Sequence, residues 1–238
     1  MKWSIKIAIL FCGFLTAGEA IAQDLHFTQF TQNAQYINPA LIGKFNGNNK
    51  YNMSYRTQWN SVTVPYRSFG LAYESSSILN NKFFSGGFSL YRNKAGDSEF
   101  TVTQISAAFS YSILINQSSA ISVGVITGLN VYSLDLSKLQ FESQYSPDIG
   151  YQTTAFNNEN LSQYQLINPD LSMGINYFGN FGWGLLKFGV ASYHVLPSEL
   201  KFYNNTINPS DRRYNISFAL DVYNGANVFS LAAVNSLH

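Results

Sequence analysis

The chain has 238 residues, and its 14 Lys and Arg against 13 Asp and Glu give a formal net charge of +1. This balance excludes the basic surface that is typical of nucleic-acid-binding proteins. Charged residues make up 11% of the sequence and aromatic residues 16%, which is unusual for a soluble protein. Such a composition is typical of a membrane β-barrel, whose outer wall faces lipid and whose interior is polar but mostly uncharged.

The first 22 residues have the pattern of a cleaved export signal. Two lysines precede an apolar run over 7–15, and a small-residue A-x-A site ends at Ala22. The run is shorter than the roughly 20 apolar residues that a membrane-spanning helix needs. The single cysteine, Cys12, lies in this signal, so disulfides, thiolate metal sites and cysteine nucleophiles are excluded from the mature chain. We expect residues 1–22 to be a signal peptide.

Residues 23–49 show no strand pattern and are predicted to form a non-strand N-terminal segment. Asn38, Pro39 and Ala40 stand ahead of the first predicted strand. Proline is barred from a central strand but fits an entry segment. Our hypothesis is that this segment is tucked into the lumen of a barrel or lies at its periplasmic rim, with residues 50–238 forming the barrel itself.

Apolar and polar residues alternate with a period of two in about nine later segments, which predicts β-strands. Each of these segments has nine or more residues, the length that a tilted transmembrane strand needs. The strongest pair is the fourth with the fifth, where one face is mainly aliphatic and aromatic and the other is small or polar. The predicted strands are 50–58, 67–75, 84–92, 100–115, 121–132, 170–178, 184–194, 214–223 and 227–237.

Two stretches without clean alternation, 134–168 and 196–213, are predicted to be long loops, the first with a short helix near 137–140. Short connections that alternate with long ones are typical of a barrel with tight periplasmic turns and long outer loops. Bacterial single-chain barrels have an even number of strands, whereas about nine are visible here. We therefore expect an antiparallel outer-membrane β-barrel that is truncated at the C-terminus; a miscounted strand is the alternative.

Aromatic residues near the strand ends have two interpretations. They predict girdles at the two membrane interfaces, and the alternative is a carbohydrate platform in a soluble exported β-sandwich. Sandwich strands are shorter on average, at about five or six residues. The girdle candidates are Trp59, Tyr73, Tyr111, Tyr177, Trp183 and Tyr223.

Three ordered motifs follow the signal peptide. The first contains Gln23, Asp24, Phe27 and Gln29; the second contains Asn38, Pro39, Ala40 and Gly43; the third contains Tyr55, Arg56, Gln58 and Trp59. Together they resemble the opening of the PorP/SprF family of Bacteroidetes outer-membrane proteins. Leu25 and Asn60 depart from that pattern, since each stands where the family commonly has proline. The resemblance is strong over 23–75 and is limited to barrel-like strands beyond.

The resemblance implies a component of the type IX secretion and gliding-motility apparatus. Family members are longer outer-membrane barrels that work with periplasmic machine parts or help to display a secreted surface adhesin. We expect the same partners here, with 134–168 and 196–213 as the contact loops and with outer-membrane lipid around the wall. A passive pore or uptake channel on the same fold is the alternative function, and a soluble exported binding module is a third.

The sequence predicts no enzyme, no cofactor and no metal site. His26, His194 and His238 are scattered without the spacing of a zinc site. The loop acids Asp135, Glu142 and Asp148 are interpreted as solvated, and their spacing does not match an EF-hand. A calcium site in that loop stays an alternative. No phosphate-binding loop or nucleophile elbow is present in the sequence.

Overall fold

The architecture was analysed in a computed structural model of the chain. The structure describes residues 33–61, 64–78, 81, 83–96, 99–135, 144–146, 148, 150–152, 165–196, 199–200, 208–209, 212–224 and 227–237. A short helix α1 (Ala34–Ile37) and a 3-10 helix (Pro39–Leu41) come first. The strands are β1 (Asn49–Gln58), β2 (Tyr66–Ser75), β3 (Phe84–Ala95), β4 (Phe100–Asn116), β5 (Ser119–Ser133), β6 (Tyr145–Ser146), β7 (Gly150–Tyr151), β8 (Gln165–Asn180), β9 (Gly184–Tyr193), β10 (Glu199–Leu200), β11 (Asn208–Pro209), β12 (Arg213–Asn224) and β13 (Asn227–Leu237).

Nine strands form one antiparallel sheet in the order β1-β2-β3-β4-β5-β8-β9-β12-β13. Every neighbour in this order follows the previous long strand along the chain, so the sheet is an up-and-down meander. The prediction of an all-β antiparallel barrel fold is confirmed: the nine strands form a half-barrel. In the described part of the chain β1 and β13 are the sheet edges and do not pair with each other.

The contacts of Tyr36 show that the sheet is curved. Its ring packs edge-on against Tyr91 of β3, with 5.0 Å between ring centroids. Its backbone oxygen accepts a hydrogen bond of 2.9 Å from Asn215 of β12. These strands are five positions apart in the sheet, which is about 24 Å in a flat sheet at the usual strand spacing of roughly 4.8 Å. One residue reaches both strands because the sheet wraps around it.

The two faces of the sheet differ as the alternation predicted. On β5, Val123, Val125 and Leu129 are exposed on the outer face, whereas Ser122 and Asn130 are buried on the inner face. Neighbouring strands repeat the pattern and make the outer face a broad apolar wall. Its other exposed members include Leu71, Phe88, Ile105, Phe109, Met173, Ile175, Phe188 and Val190.

The connections divide the half-barrel into two ends. At the end where β1 begins, which we call the turn end, neighbouring strands are joined through 76–83, 117–118, 181–183 and 225–226. At the opposite end, the loop end, the connections are 59–65, 96–99, 134–164 and 194–212. Both long connections therefore lie at the loop end. No helix in the described ranges is long and apolar enough to cross a membrane.

The predicted loop 134–168 is four residues too long, because β8 already begins at Gln165. This part of the strand is not visible in the sequence pattern, because Asn168 and Pro169 interrupt the apolar alternation. Pro169 pairs with Leu129 of β5, but the β8–β9 ladder begins only at Met173. The side of β8 facing β9 thus needs no backbone donor at Pro169, which makes proline acceptable there. The predicted helix at 137–140 lies outside the described residues.

Candidate functional site

Residues 33–48, which we call the N-terminal segment, cross the inner face of the half-barrel instead of joining the sheet. The chain turns into the 3-10 helix at Asn38, whose Oδ1 accepts a hydrogen bond of 2.9 Å from the backbone N–H of Ala40. Pro39 fills the first helical position, where its fixed φ is favourable and its missing N–H costs nothing. Gly43, at φ +72°, then redirects the chain in a conformation that glycine adopts without strain.

Asn38 fastens this segment to two strands and is itself fully buried. Its Nδ2 donates hydrogen bonds to the backbone oxygen of Ile175 in β8 at 3.0 Å and to that of Val190 in β9 at 3.2 Å. With the bond from Ala40, the side chain uses both amide protons and its oxygen. A buried amide that is satisfied in this way specifies one position of the segment against the wall.

Glycines on the inner face allow the segment to approach the wall closely. A Cβ at Gly124 of β5 would overlap the backbone of Pro39, and a Cβ at Gly174 of β8 would overlap the side chain of Asn38. Gly189 of β9 also lies against Asn38. The small residues that the sequence places on this face therefore form the seat of the N-terminal segment.

Further hydrogen bonds hold the segment along its length. Toward β2 and β4, Glu74 Oε2 accepts from the backbone N–H of Gly43 at 3.1 Å, and Ser110 Oγ donates to the backbone oxygen of Ile42 at 2.8 Å. Toward the other side, the Tyr193 hydroxyl of β9 donates to the backbone oxygen of Gln35 at 2.7 Å. Asn215 Nδ2 of β12 donates to the backbone oxygens of Tyr36 and Ile37 at 2.9 and 3.1 Å.

On the loop-end side of the segment lies a cavity of about 50 Å³ whose mixed lining includes charged side chains. Asp170 Oδ1 and His194 Nδ1 are 3.0 Å apart there. The buried guanidinium of Arg213 stacks over the Tyr193 ring, 4.1 Å from its centroid. This volume is large enough for roughly one or two water molecules, whereas ligand pockets are usually about 300–1,000 Å³.

On the turn-end side lies an open cavity of about 1030 Å³, which we call the mouth. Asn and Ser side chains, Phe45, Phe178, Lys44 and Lys187 line it. Lys187 Nζ is 3.2 Å from Asp221 Oδ2. Lys50, beside the mouth, has its Nζ 3.8 Å from Glu74 Oε1. Burial lowers the pKa of Lys44 below that of a free lysine.

The structure brings together one of the three sequence motifs. Asn38, Pro39, Ala40 and Gly43 lie in the segment just described. The third motif is elsewhere, at the loop end of β1: Tyr55 is exposed, Arg56 and Gln58 lie on the opposite, less exposed face, and Trp59 follows the strand at φ +60°. Gln23, Asp24, Phe27 and Gln29 lie outside the described residues.

Sequence reasoning missed the partners of the segment on the wall. Glu74, Ser110, Tyr193 and Asn215 are separated from the backbone groups that they bind by 31 to 179 residues. The sequence could indicate these partners only as polar side chains at inward-facing positions of strands. Within the described residues, no three His, Cys, Asp or Glu side chains gather in a way that could hold a metal ion.

Comparison with known proteins identifies the family to which the chain belongs. The model of the type IX secretion system membrane protein PorP/SprF matches residues 20–232, which is most of the chain. No curated protein and no solved structure gives a significant match. The long strands form a meander with an apolar outer wall, and the family match runs from before β1 into β13. The chain therefore belongs to the PorP/SprF family of type IX secretion system membrane proteins.

Proposed function

We propose that this protein is an outer-membrane anchor of the type IX secretion and gliding-motility apparatus, and not a channel. In this proposal it holds periplasmic parts of the machine and helps to display a surface adhesin. The observation that carries the proposal is the N-terminal segment bound across the inner face by β2, β4, β8, β9 and β12. A lumen filled by such a fixed segment serves for attachment better than for transport.

The lengths of the connections support an orientation in the membrane. Outer-membrane barrels have short periplasmic turns and longer outer loops. On this rule the turn end faces the periplasm and the loop end faces the outside. The long connections 134–164 and 194–212 are then the surfaces available to an adhesin, and the mouth opens toward the periplasmic machine.

The outer wall supports membrane embedding. Exposed aliphatic and aromatic side chains cover the middle of the strands, and exposed aromatic residues stand toward both ends. Trp183 and Tyr223 lie at the turn end, and Trp59 and Tyr66 lie at the loop end. This arrangement agrees with an apolar band between two aromatic girdles.

Heat-modifiability of the native protein in separated outer membranes tests the assignment. A closed barrel is expected to migrate faster in the gel without boiling than after boiling, and to sediment with the outer membrane. Because no edge of a sheet can face lipid unpaired, this mobility shift also tests whether the sheet is closed in the cell. Recovery of the protein in the soluble periplasm without a mobility shift would contradict the proposal.

Lipid contact makes a quantitative prediction for the outer wall. Val125 lies in the middle of β5 and faces outward. Val125→Arg should lower the free energy of unfolding in lipid by about 2–4 kcal/mol, as arginine does at the bilayer midplane. Ile115→Arg, near the turn-end terminus of β4, should cost only about 0–1 kcal/mol. Urea titration in lipid vesicles measures both values, and equal small losses would point to a wall that faces water.

A further inference from the structure

Among the described residues around the mouth, one lysine lacks an acidic partner. Lys50 and Lys187 lie close to Glu74 and Asp221, respectively. Lys44, by contrast, has no acidic partner within ion-pair distance among the described residues, although its side chain lines the same cavity. The four paired charges cancel, so the described part of the mouth has a net positive charge that resides on Lys44.

The position of Lys44 strengthens its attraction for an anion, compared with a lysine on an open surface. Its side chain is half-buried where it lines the mouth, and the lost hydration lowers its pKa. A charge that has already lost part of its hydration is screened less by solvent than a fully exposed lysine. A carboxylate entering the mouth would therefore gain more from Lys44 than from a lysine on an open surface.

The rest of the lining fits a peptide better than a small ion. Asn46, Asn48 and Asn49 supply amide donors and acceptors, and Phe45 and Phe178 supply apolar surface. The volume of about 1030 Å³ is at the upper end of the range for ligand pockets, roughly 300–1,000 Å³. It accommodates a few residues of an extended chain and far exceeds the size of a phosphate ion.

The mouth ends against the N-terminal segment. Ile42 and Gly43 are fixed by Ser110 and Glu74, and a Cβ at Gly43 would overlap Ser85 of β3. A ligand that enters from the turn end therefore stops at this floor. A pull on that ligand is transmitted through the segment to the strands that hold it.

We propose that the mouth binds an extended acidic segment of a periplasmic partner protein, with a partner carboxylate paired to Lys44. This inference rests on the proposed anchoring function, and it names the attachment point and the chemistry of the partner. The partner carboxylate lies beside the Lys44 ammonium, and the amides and phenylalanines of the lining hold the neighbouring residues of the acidic segment.

The test uses the full-length protein in nanodiscs of uncharged lipid and two fluorescent probe peptides. One acetylated and amidated hexapeptide carries two aspartates that flank a phenylalanine, and its counterpart carries asparagines instead. Fluorescence anisotropy should show that the acidic peptide binds at least about fivefold more tightly than the asparagine peptide, as expected for one added charge pair. Lys44→Gln should abolish this preference, and Lys44→Arg should keep it within about twofold.

Lys94→Gln is the matched control, because Lys94 lies at the loop end of β3 and pairs with Glu99 at 2.6 Å. It removes the same charge from the protein but should leave the preference unchanged. Equal binding of the two peptides, equal effects of Lys44→Gln and Lys94→Gln, or binding of millimolar inorganic phosphate without either peptide would overturn the inference. These outcomes leave the blocked lumen untouched, whereas ion conduction by the native protein would refute the anchoring function whatever the peptides do.

Discussion

Asn38→Ala should lower the free energy of unfolding by about 2–4 kcal/mol, the largest loss that we expect from removing one side chain of the N-terminal segment. The substitution removes the donors to Ile175 and Val190 and the acceptor for the backbone N–H of Ala40. It also leaves a void at a position that is fully buried. Urea titration of the protein in lipid vesicles measures the loss.

Asn38→Asp is a more specific test, because it keeps the shape of the side chain but replaces the amide donor with a carboxylate oxygen, which can only accept. A carboxylate at Asn38 would face two backbone oxygens, so the loss at neutral pH should exceed that of the alanine variant. Burial should raise the pKa of this carboxyl above about 3.9, the value expected in the unfolded chain. The stability of the aspartate variant relative to the alanine variant should therefore be highest below about pH 4 and fall as the pH rises through the raised pKa.

Asn46→Ala is the matched control, because Asn46 is an exposed residue of the same segment. It should change the unfolding free energy by less than about 0.5 kcal/mol. Similar losses for Asn38→Ala and Asn46→Ala would show that the amide of Asn38 does not fix the segment.

Gly124→Val should displace the N-terminal segment from the wall without unfolding the strands. The new side chain would occupy the space of the Pro39 backbone, which cannot move like the end of a flexible side chain. Because the strands keep their ladder while the segment loses its seat, we expect the segment to become accessible to protease in lipid vesicles. The barrel should retain its heat-modifiable mobility.

Thr127→Val is the matched control for Gly124→Val. It replaces a hydroxyl with a methyl group on the same strand, but on the exposed outer face. In the Thr127→Val variant the N-terminal segment should stay protected from protease, as in the native protein. Gly124→Ala should give an intermediate result, since even one Cβ overlaps Pro39. Full protection of the segment in Gly124→Val would contradict the seat that we describe.

The strands were predictable where each face had one chemical character. On β4 and β5 the outward residues are mainly aliphatic or aromatic and the inward ones are small or polar, and the alternation matches the exposure of the two faces. The start of β8 was not predictable in this way, because Gln165, Asn168 and Pro169 are polar or break the pattern. Their strand conformation depends on the ladder with β5, which a local pattern does not contain.

The site was predictable in its chain segment but not in its contacts. Asn38, Pro39 and Ala40 indicated a non-strand entry, and proline excluded this stretch from a central strand. The wall partners could not be inferred, because Tyr36 and Asn215 are 179 residues apart in sequence. The balance of charges in the mouth depends on the ion pairs Lys187–Asp221, between β9 and β12, and Lys50–Glu74, between β1 and β2. Only folding brings the members of each pair together.

Conductance in planar lipid bilayers tests the central claim most directly, namely that the N-terminal segment blocks the lumen of a membrane barrel. The native protein isolated from bacterial membranes should insert and remain silent, whereas the Gly124→Val variant should show ion-conducting events under the same conditions. The variant also controls for insertion, because a conducting barrel must span the bilayer. Steady conduction by the native protein, unchanged in Gly124→Val, would contradict the blocked lumen and favour a passive pore.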